Sequence, residues 1–360
     1  MRRLLALLLL LVLPAAAPAQ PAAEAGYREV FSAAALGAPH PSQQAAASFT
    51  LLYRGLVPNA AFALARDAEG RSAWGFAGGA ATPAQAEAAA LERCRRALGQ
   101  VQAECRVLAQ NATRADGPAA PLAEGGIGPF RYAPLLLKRG PEAARGALVW
   151  GHGYGGTDRD NRSVPTPAFV SLLNDNGWDV LRFDRHPGDD ALYASLPRLV
   201  GGLPALRAAG YRRILLGGQS RGGWQAIMAA SERPDLVDAV IATAPAAHGE
   251  WQRGNALGAA LDDFRRLLAG LPEGPRLAVA LFEGDDYDPD PERRAALLEA
   301  RALERRAPTL ALWPQAPPRG HAGGSDLRFT LAYAGCLLSL VQAPDPAAPR
   351  GLRRLPCGGG

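Results

Sequence analysis

From Ala147 onward the chain alternates short apolar runs with longer amphipathic stretches. Ala147 to Trp150 precedes Pro167 to Asn174, Val180 to Phe183 precedes Leu196 to Ala209, and Ile214 to Gly217 precedes Trp224 to Ala230. Further along come Val237 to Ala242 with Ala256 to Ala269, Leu277 to Phe282 with Arg293 to Arg305, and Thr309 to Trp313 with Leu327 to Val341. Runs such as Ile214-Leu215-Leu216 lack polar alternation, as strands do when both their faces are buried. Strand and helix at this spacing predict a parallel sheet covered on both sides through right-handed crossovers. The expected fold class is α/β.

A second pattern fills residues 46–111. Ala61-Phe62-Ala63-Leu64-Ala65 and Ala73-Trp74-Gly75-Phe76-Ala77 predict two strands around the turn residues Asp67 to Gly70. Thr82-Pro83-Ala84-Gln85 combines a capping Thr, a Pro at the first helical position and a Gln three beyond the cap, so a helix should run from there to about Leu98. Cys105 to Ala109 supplies a closing strand, which makes this stretch a small α+β module. Residues 20–45 are rich in Ala, Pro and Gln without a period and predict a flexible lead-in. Residues 112–129, rich in Ala, Gly and Pro, predict a linker, and 130–360 form the large domain.

The first residues change where the rest must work. Arg2 and Arg3, the apolar run Leu4 to Leu13 and the small-residue site Ala17-Pro18-Ala19 have the form of an export signal over residues 1–19. That run is short of the roughly 20 residues a membrane span needs, and no later stretch supplies one. A secreted or periplasmic location follows. The four cysteines then face an oxidising compartment, and sequence proximity pairs Cys94 with Cys105 and Cys336 with Cys357. No C-x-x-C pair or His cluster accompanies them, so no metal site is expected. Hydrophobic content of 48% and charged content of 20% suit an ordinary globular chain. The net charge of +5 falls to +3 without Arg2 and Arg3 and is scattered among acids, which argues against a nucleic-acid partner.

Candidate chemistry centres on Gly218-Gln219-Ser220-Arg221-Gly222, set between the strand at 214–217 and a helix. A nucleophilic Ser on such a sharp turn needs small residues two before and two after it. Val149-Trp150-Gly151-His152-Gly153-Tyr154-Gly155-Gly156 follows the preceding central strand and can turn backbone amides toward the same point. The amides of Tyr154 and Arg221 are the expected oxyanion donors, worth about 3 kcal/mol each in such sites. His152 is expected to hold its loop rather than act as base. Of the five histidines, His40 falls in the lead-in, and His186 and His248 follow strands and could line the pocket. His321, in the flexible loop Pro318 to Gly324 after the last predicted strand, is the expected base. The acid should lie in Glu283-Gly284-Asp285-Asp286-Tyr287-Asp288-Pro289-Asp290, with Asp286 the first choice and Asp288 the second. The segment 245–271 is the expected cap over the pocket, and Trp251 and Phe264 could wall it.

The order Ser220, Asp286, His321, each after a successive strand, resembles the α/β-hydrolase superfamily over roughly residues 130–345. The similarity extends to its dienelactone-hydrolase-like and secreted esterase branches. It implies an eight-stranded, mostly parallel sheet and hydrolysis of a small-molecule or polymer ester through an acyl-enzyme, without a cofactor. A serine peptidase or acyl-transferase would use the same residues, and a non-catalytic envelope-binding protein is the alternative of a different kind. The stretch 46–111 resembles small modules of unknown function in exported bacterial proteins, with Ala/Gly strands and an Ala-rich helix ending in Cys.

Overall fold

The computed structural model describes residues 20–156, 159–249, 257–288, 290–315 and 317–357. The leader-like segment 1–19 and Trp251 lie outside these residues.

Residues 20–45 depart from the flexible lead-in that their composition predicts. Helix α1 (Gln20–Phe31) and the short α2 (Gln43–Ala47) lie there. Tyr27, Val30 and Phe31 fall at i, i+3 and i+4, so one face of α1 is apolar, and all three are buried. Next come β1 (Ala61–Arg66), β2 (Ser72–Ala77), α3 (Pro83–Arg96), β3 (Arg106–Gln110) and β4 (Thr113–Arg114). They build an antiparallel sheet in the order β2-β1-β3-β4. Thr82 and Gln85 form the capping box at the start of α3. Ala61, Ala63, Ala65 and Ala73 meet Ala86, Ala90 and Cys94 of α3, small against small. On the other side of the sheet Phe62 and Leu64 pack with Tyr27, Phe31, Phe49 and Tyr53. A disulfide joins Cys94 to Cys105.

The stretch 112–129 is also more ordered than a linker. It contains β4 and β5 (Gly126–Ile127), and Arg114 is buried against Asp116. The large sheet therefore begins at Gly126, pairing β5 with β6 (Phe130–Tyr132). Its other strands are β7 (Gly146–Gly151), β8 (Trp178–Phe183), β9 (Ile214–Gln219), β10 (Ala239–Thr243), β11 (Arg276–Ala280), β12 (Thr309–Leu312) and β13 (Gly351–Arg353). Between and beside them lie α4 (Ala168–Asp175), α5 (Leu192–Ala208), α6 (Arg221–Glu232), α7 (Leu257–Gly270), α8 (Pro291–Glu304) and α9 (Leu327–Gln342). The order across the sheet is β13-β12-β11-β10-β9-β7-β8-β6-β5. Seven strands, β8 through β13 and β7, run parallel, and β5 and β6 form an antiparallel edge. The ninth strand, β13, extends the expected eight; Cys336–Cys357 fastens the chain just beyond it to α9.

Alternate residues of the central strands feed two cores. Val149, Ile214 and Leu216 point toward α5, α6 and α7, where Leu203, Ile227 and Phe264 are buried. Leu148, Leu215 and Ile241 point toward α4 and α9, meeting Phe169, Phe329 and Leu337. Both faces need apolar side chains, and this is the origin of the continuous hydrophobic runs. Phe264 belongs to the first core, where it packs on Trp224 with ring centroids 6.1 Å apart, rather than walling a pocket.

The small N-terminal unit sits against this sandwich through specific bonds. Arg54 forks onto Asp175 at the end of α4, with both N–O distances 2.6 Å. The Tyr27 hydroxyl donates to the Leu135 carbonyl at 2.8 Å, and Ser171 Oγ donates to the Leu51 carbonyl at 2.7 Å. Leu135 and Leu137 complete the core around Tyr27 and Phe49.

Candidate active site

Ser220 occupies the turn between β9 and α6 with φ 56° and ψ −123°. A non-glycine residue in this region is strained, and strain of this kind survives only where neighbours fix it. Here the Ser220 N–H donates to the Thr243 carbonyl at the end of β10, 3.0 Å away. Close approach makes the rest of the turn depend on glycine. A Cβ on Gly222 would stand 2.2 Å from the Gly151 carbonyl oxygen, so the first turn of α6 can lie on the end of β7 only without one.

The loop after β7 reaches the same point. A Cβ on Gly153 would lie 3.2 Å from Ser220 Cβ and 2.2 Å from Gln219 Oε1, which brings the Gly153–Tyr154 backbone against the serine. His152 anchors this loop from beneath. Its Nδ1 donates to the Gly153 carbonyl at 2.7 Å, and its Nε2 accepts from the Arg185 backbone N–H at 2.9 Å. Burial and the Arg185 guanidinium push its pKa down to about 3, so the ring is neutral near pH 7. Asn161 Nδ2 also donates to the Gly153 carbonyl, at 3.0 Å.

His321 stands in the loop after β12. Its Nδ1 is 2.7 Å from Asp285 Oδ1, and the Asp285 side chain is buried. The Tyr287 ring lies over the imidazole, centroids 4.1 Å apart, while the Tyr287 N–H donates to Asp285 Oδ1 at 2.9 Å. Gln219, beside the serine, donates through Nε2 to the His321 carbonyl at 3.1 Å. The partner of His321 is thus neither Asp286 nor Asp288. Asp286 is exposed, and Asp288 turns away to Arg294, Nε to Oδ1 3.1 Å. Gly284, with φ 70°, turns the chain one residue before Asp285. No feature of this loop's sequence separates Asp285 from Asp286 and Asp288.

Asp288 and Arg294 are both buried. Arg294 also donates to the Pro245 carbonyl at 2.9 Å, tying the acidic loop to the segment after β10. Burial pushes the Asp288 carboxyl up to about 6 despite the guanidinium beside it.

Ser220, Arg221, Tyr154 and His321 line one cavity of about 600 Å³, with Arg159, Asn161, Ala246, His248 and Tyr287 among its other walls. His248 is fixed by Asp263, Nε2 to Oδ2 2.7 Å, and His186 is exposed outside the cavity. Arg221 extends its guanidinium over the Tyr154 ring, 3.5 Å from the centroid. Among the described residues no group of three or more His, Cys, Asp or Glu could hold a metal ion.

A parallel sheet in this order, a strained serine elbow after its central strand, and an Asp–His pair on the loops of two later strands define the α/β-hydrolase fold class. No family model matches the chain, and no curated protein matches it. Among solved structures it is similar to Est1E from Butyrivibrio proteoclasticus, at 18% identity over 52% of this chain and 84% of that one, TM-score 0.38. It is likewise similar to dienelactone hydrolase from Anabaena variabilis, at 20% identity over 51% and 79%, TM-score 0.35. The esterase Pf2001 of Pyrococcus furiosus gives 14% identity over 53% and 78%, TM-score 0.36. At these scores the fold assignment rests on the strand order and the elbow.

Proposed function

We propose that this chain is an exported serine hydrolase that cleaves carboxylic esters through an acyl-enzyme. The observation that carries the reading is the buried Asp285 bonded to His321 on the wall of the cavity that also holds the strained Ser220. Asp285 fixes the imidazole with its proton on Nδ1, which leaves Nε2 free as base. Ser220 Oγ gives its proton to His321 Nε2 and attacks the ester carbonyl. The backbone amides of Tyr154 and Arg221 receive the developing oxyanion; Arg221 begins α6, where first-turn N–H groups have no partner within the helix. His321 then protonates the departing alcohol, and a water deprotonated by the same ring releases the acid.

Export is supported by the signal-like leader and by two disulfides, Cys94–Cys105 and Cys336–Cys357. No helix among the described residues is long and apolar enough to cross a membrane. The test is hydrolysis of a p-nitrophenyl ester together with covalent labelling by a fluorophosphonate. Ser220→Ala should lose both; a variant that keeps the wild-type rate overturns the assignment.

A further inference from the structure

The loop after β7 and the first turn of α6 come from different strands, yet the two amides assigned to the oxyanion must converge on one atom. We propose that a third segment, the buried pair Arg185–Asp190 after β8, is the positioning device that locks them together; the inference rests on the hydrolase reading above. Arg185 is fully buried, as are Asp190 and His152. The Arg185 backbone N–H donates to His152 Nε2, and its Nη2 donates to the His152 carbonyl. Its Nε donates to Asp190 Oδ1 at 2.6 Å. The Asp190 carbonyl in turn accepts from Arg221 Nη1, and the Arg221 guanidinium covers Tyr154 at 3.5 Å. The circuit closes: from His152 and Tyr154 to Arg221, then to Asp190, to Arg185 and back to His152. Both oxyanion segments are members of it.

Stability alone is a poor reason to keep such a pair. A buried ion pair is often no better than apolar residues of the same volume, because desolvation offsets the Coulomb attraction. Arg185 also leaves Nη1 without a hydrogen-bond partner among the described residues, an added cost. Rigid placement is what the arrangement supplies. Donors for an oxyanion act only when held where the charge will appear, and a displacement of about 1 Å can cost about 100-fold in rate.

The experiment compares wild type with Arg185→Met/Asp190→Leu, which removes both charges and strands neither, and with Arg185→Lys. Fluorophosphonate titration counts the competent serines in each preparation, and kcat is expressed per titrated serine. The double variant should lose about 100-fold in kcat with KM changed by less than about threefold. Its inhibition by a trifluoromethyl ketone, which places an oxyanion in the same position, should weaken in parallel. Arg185→Lys, which keeps a charge for Asp190 but cannot also hold the His152 carbonyl as Nη2 does, should fall between. A double variant with kcat per titrated serine within about threefold of wild type overturns the inference while leaving the hydrolase reading intact. Loss of every titratable serine in both variants assigns the pair to folding and overturns it too. A wild-type protein that neither turns over ester nor takes the label removes the reading on which the inference stands.

Discussion

Asp285 and Asp286 are chemically identical neighbours with opposite surroundings. Asp285 is buried on the imidazole of His321 and Asp286 is exposed. Asp285→Asn should lower kcat by about 10⁴-fold through loss of the correct tautomer, whereas Asp286→Asn should stay within about twofold. Steady-state kinetics on one ester decides between them. Asp288 makes a prediction of a different kind. Its folded-state pKa, about 6, lies above the ordinary aspartate value of 3.8, so between those pH values the folded protein holds a proton that the unfolded chain has lost. Stability from this group is therefore full below about pH 4 and declines as pH rises toward 6. Other carboxylates in the chain, such as Asp160 beside Arg162, are lowered and act in the opposite sense. The check is a difference: denaturant unfolding at pH 4, 5 and 6 should show wild type losing ground relative to Asp288→Asn across that window. The sequence could not rank these acids. The apolar run reaches Phe282, which is buried, but the strand ladder stops at Ala280, so counting from the run overshoots the turn at Gly284. The turn position of Ser220 after β9 and the loop position of His321 after β12 could be read ahead, because a glycine-flanked serine and a late loop histidine need no such register.

At the level of elements, the alternating series in the large domain could be read almost strand by strand. Continuous apolar runs between amphipathic helices have few other structural meanings once two cores must be filled. The elements that escaped are those whose pattern composition hides. Helix α1 lies in an Ala/Pro/Gln-rich stretch, and only the spacing of Tyr27, Val30 and Phe31 marks its buried face. Strand β13 has three residues, Gly351–Arg353, too few to show a period. The elbow itself depends on close packing of α6 on β7. Gly222→Ala would force a Cβ to within 2.2 Å of backbone oxygen. The expected outcome is a loss of about 1–3 kcal/mol in stability and a sharp drop in ester turnover, since the shift moves the Arg221 amide. Thermal unfolding and kinetics on the same preparation test both parts.

On the scale of the whole molecule, the N-terminal unit shares its core and the Arg54–Asp175 ion pair with the large domain. Arg54 is buried while reaching Asp175 on α4, and Thr166 donates its N–H to the Gly55 carbonyl at 3.0 Å. Units joined this closely should melt together, and calorimetry of the protein should show one cooperative transition. Two separated transitions would contradict the docking. Within the small unit the Cys94–Cys105 link closes a loop spanning 11 positions. Its replacement by Cys94→Ser/Cys105→Ser should cost about 3 kcal/mol on the chain-entropy account, seen as a lower denaturant midpoint. None of this docking was visible in the sequence, because it depends on partners more than a hundred positions apart.

The last strand has a consequence for how the molecule behaves among its own copies. Without β13, β12 would present a bare row of amides and carbonyls, the template on which sheets of neighbouring molecules add to one another. The bond from Cys357 to Cys336 keeps that short cover in place from one side, while the Tyr333 hydroxyl holds the Arg354 carbonyl at 2.7 Å. Prolonged exposure to reductant should therefore first appear as self-association, ahead of any loss of the serine elbow.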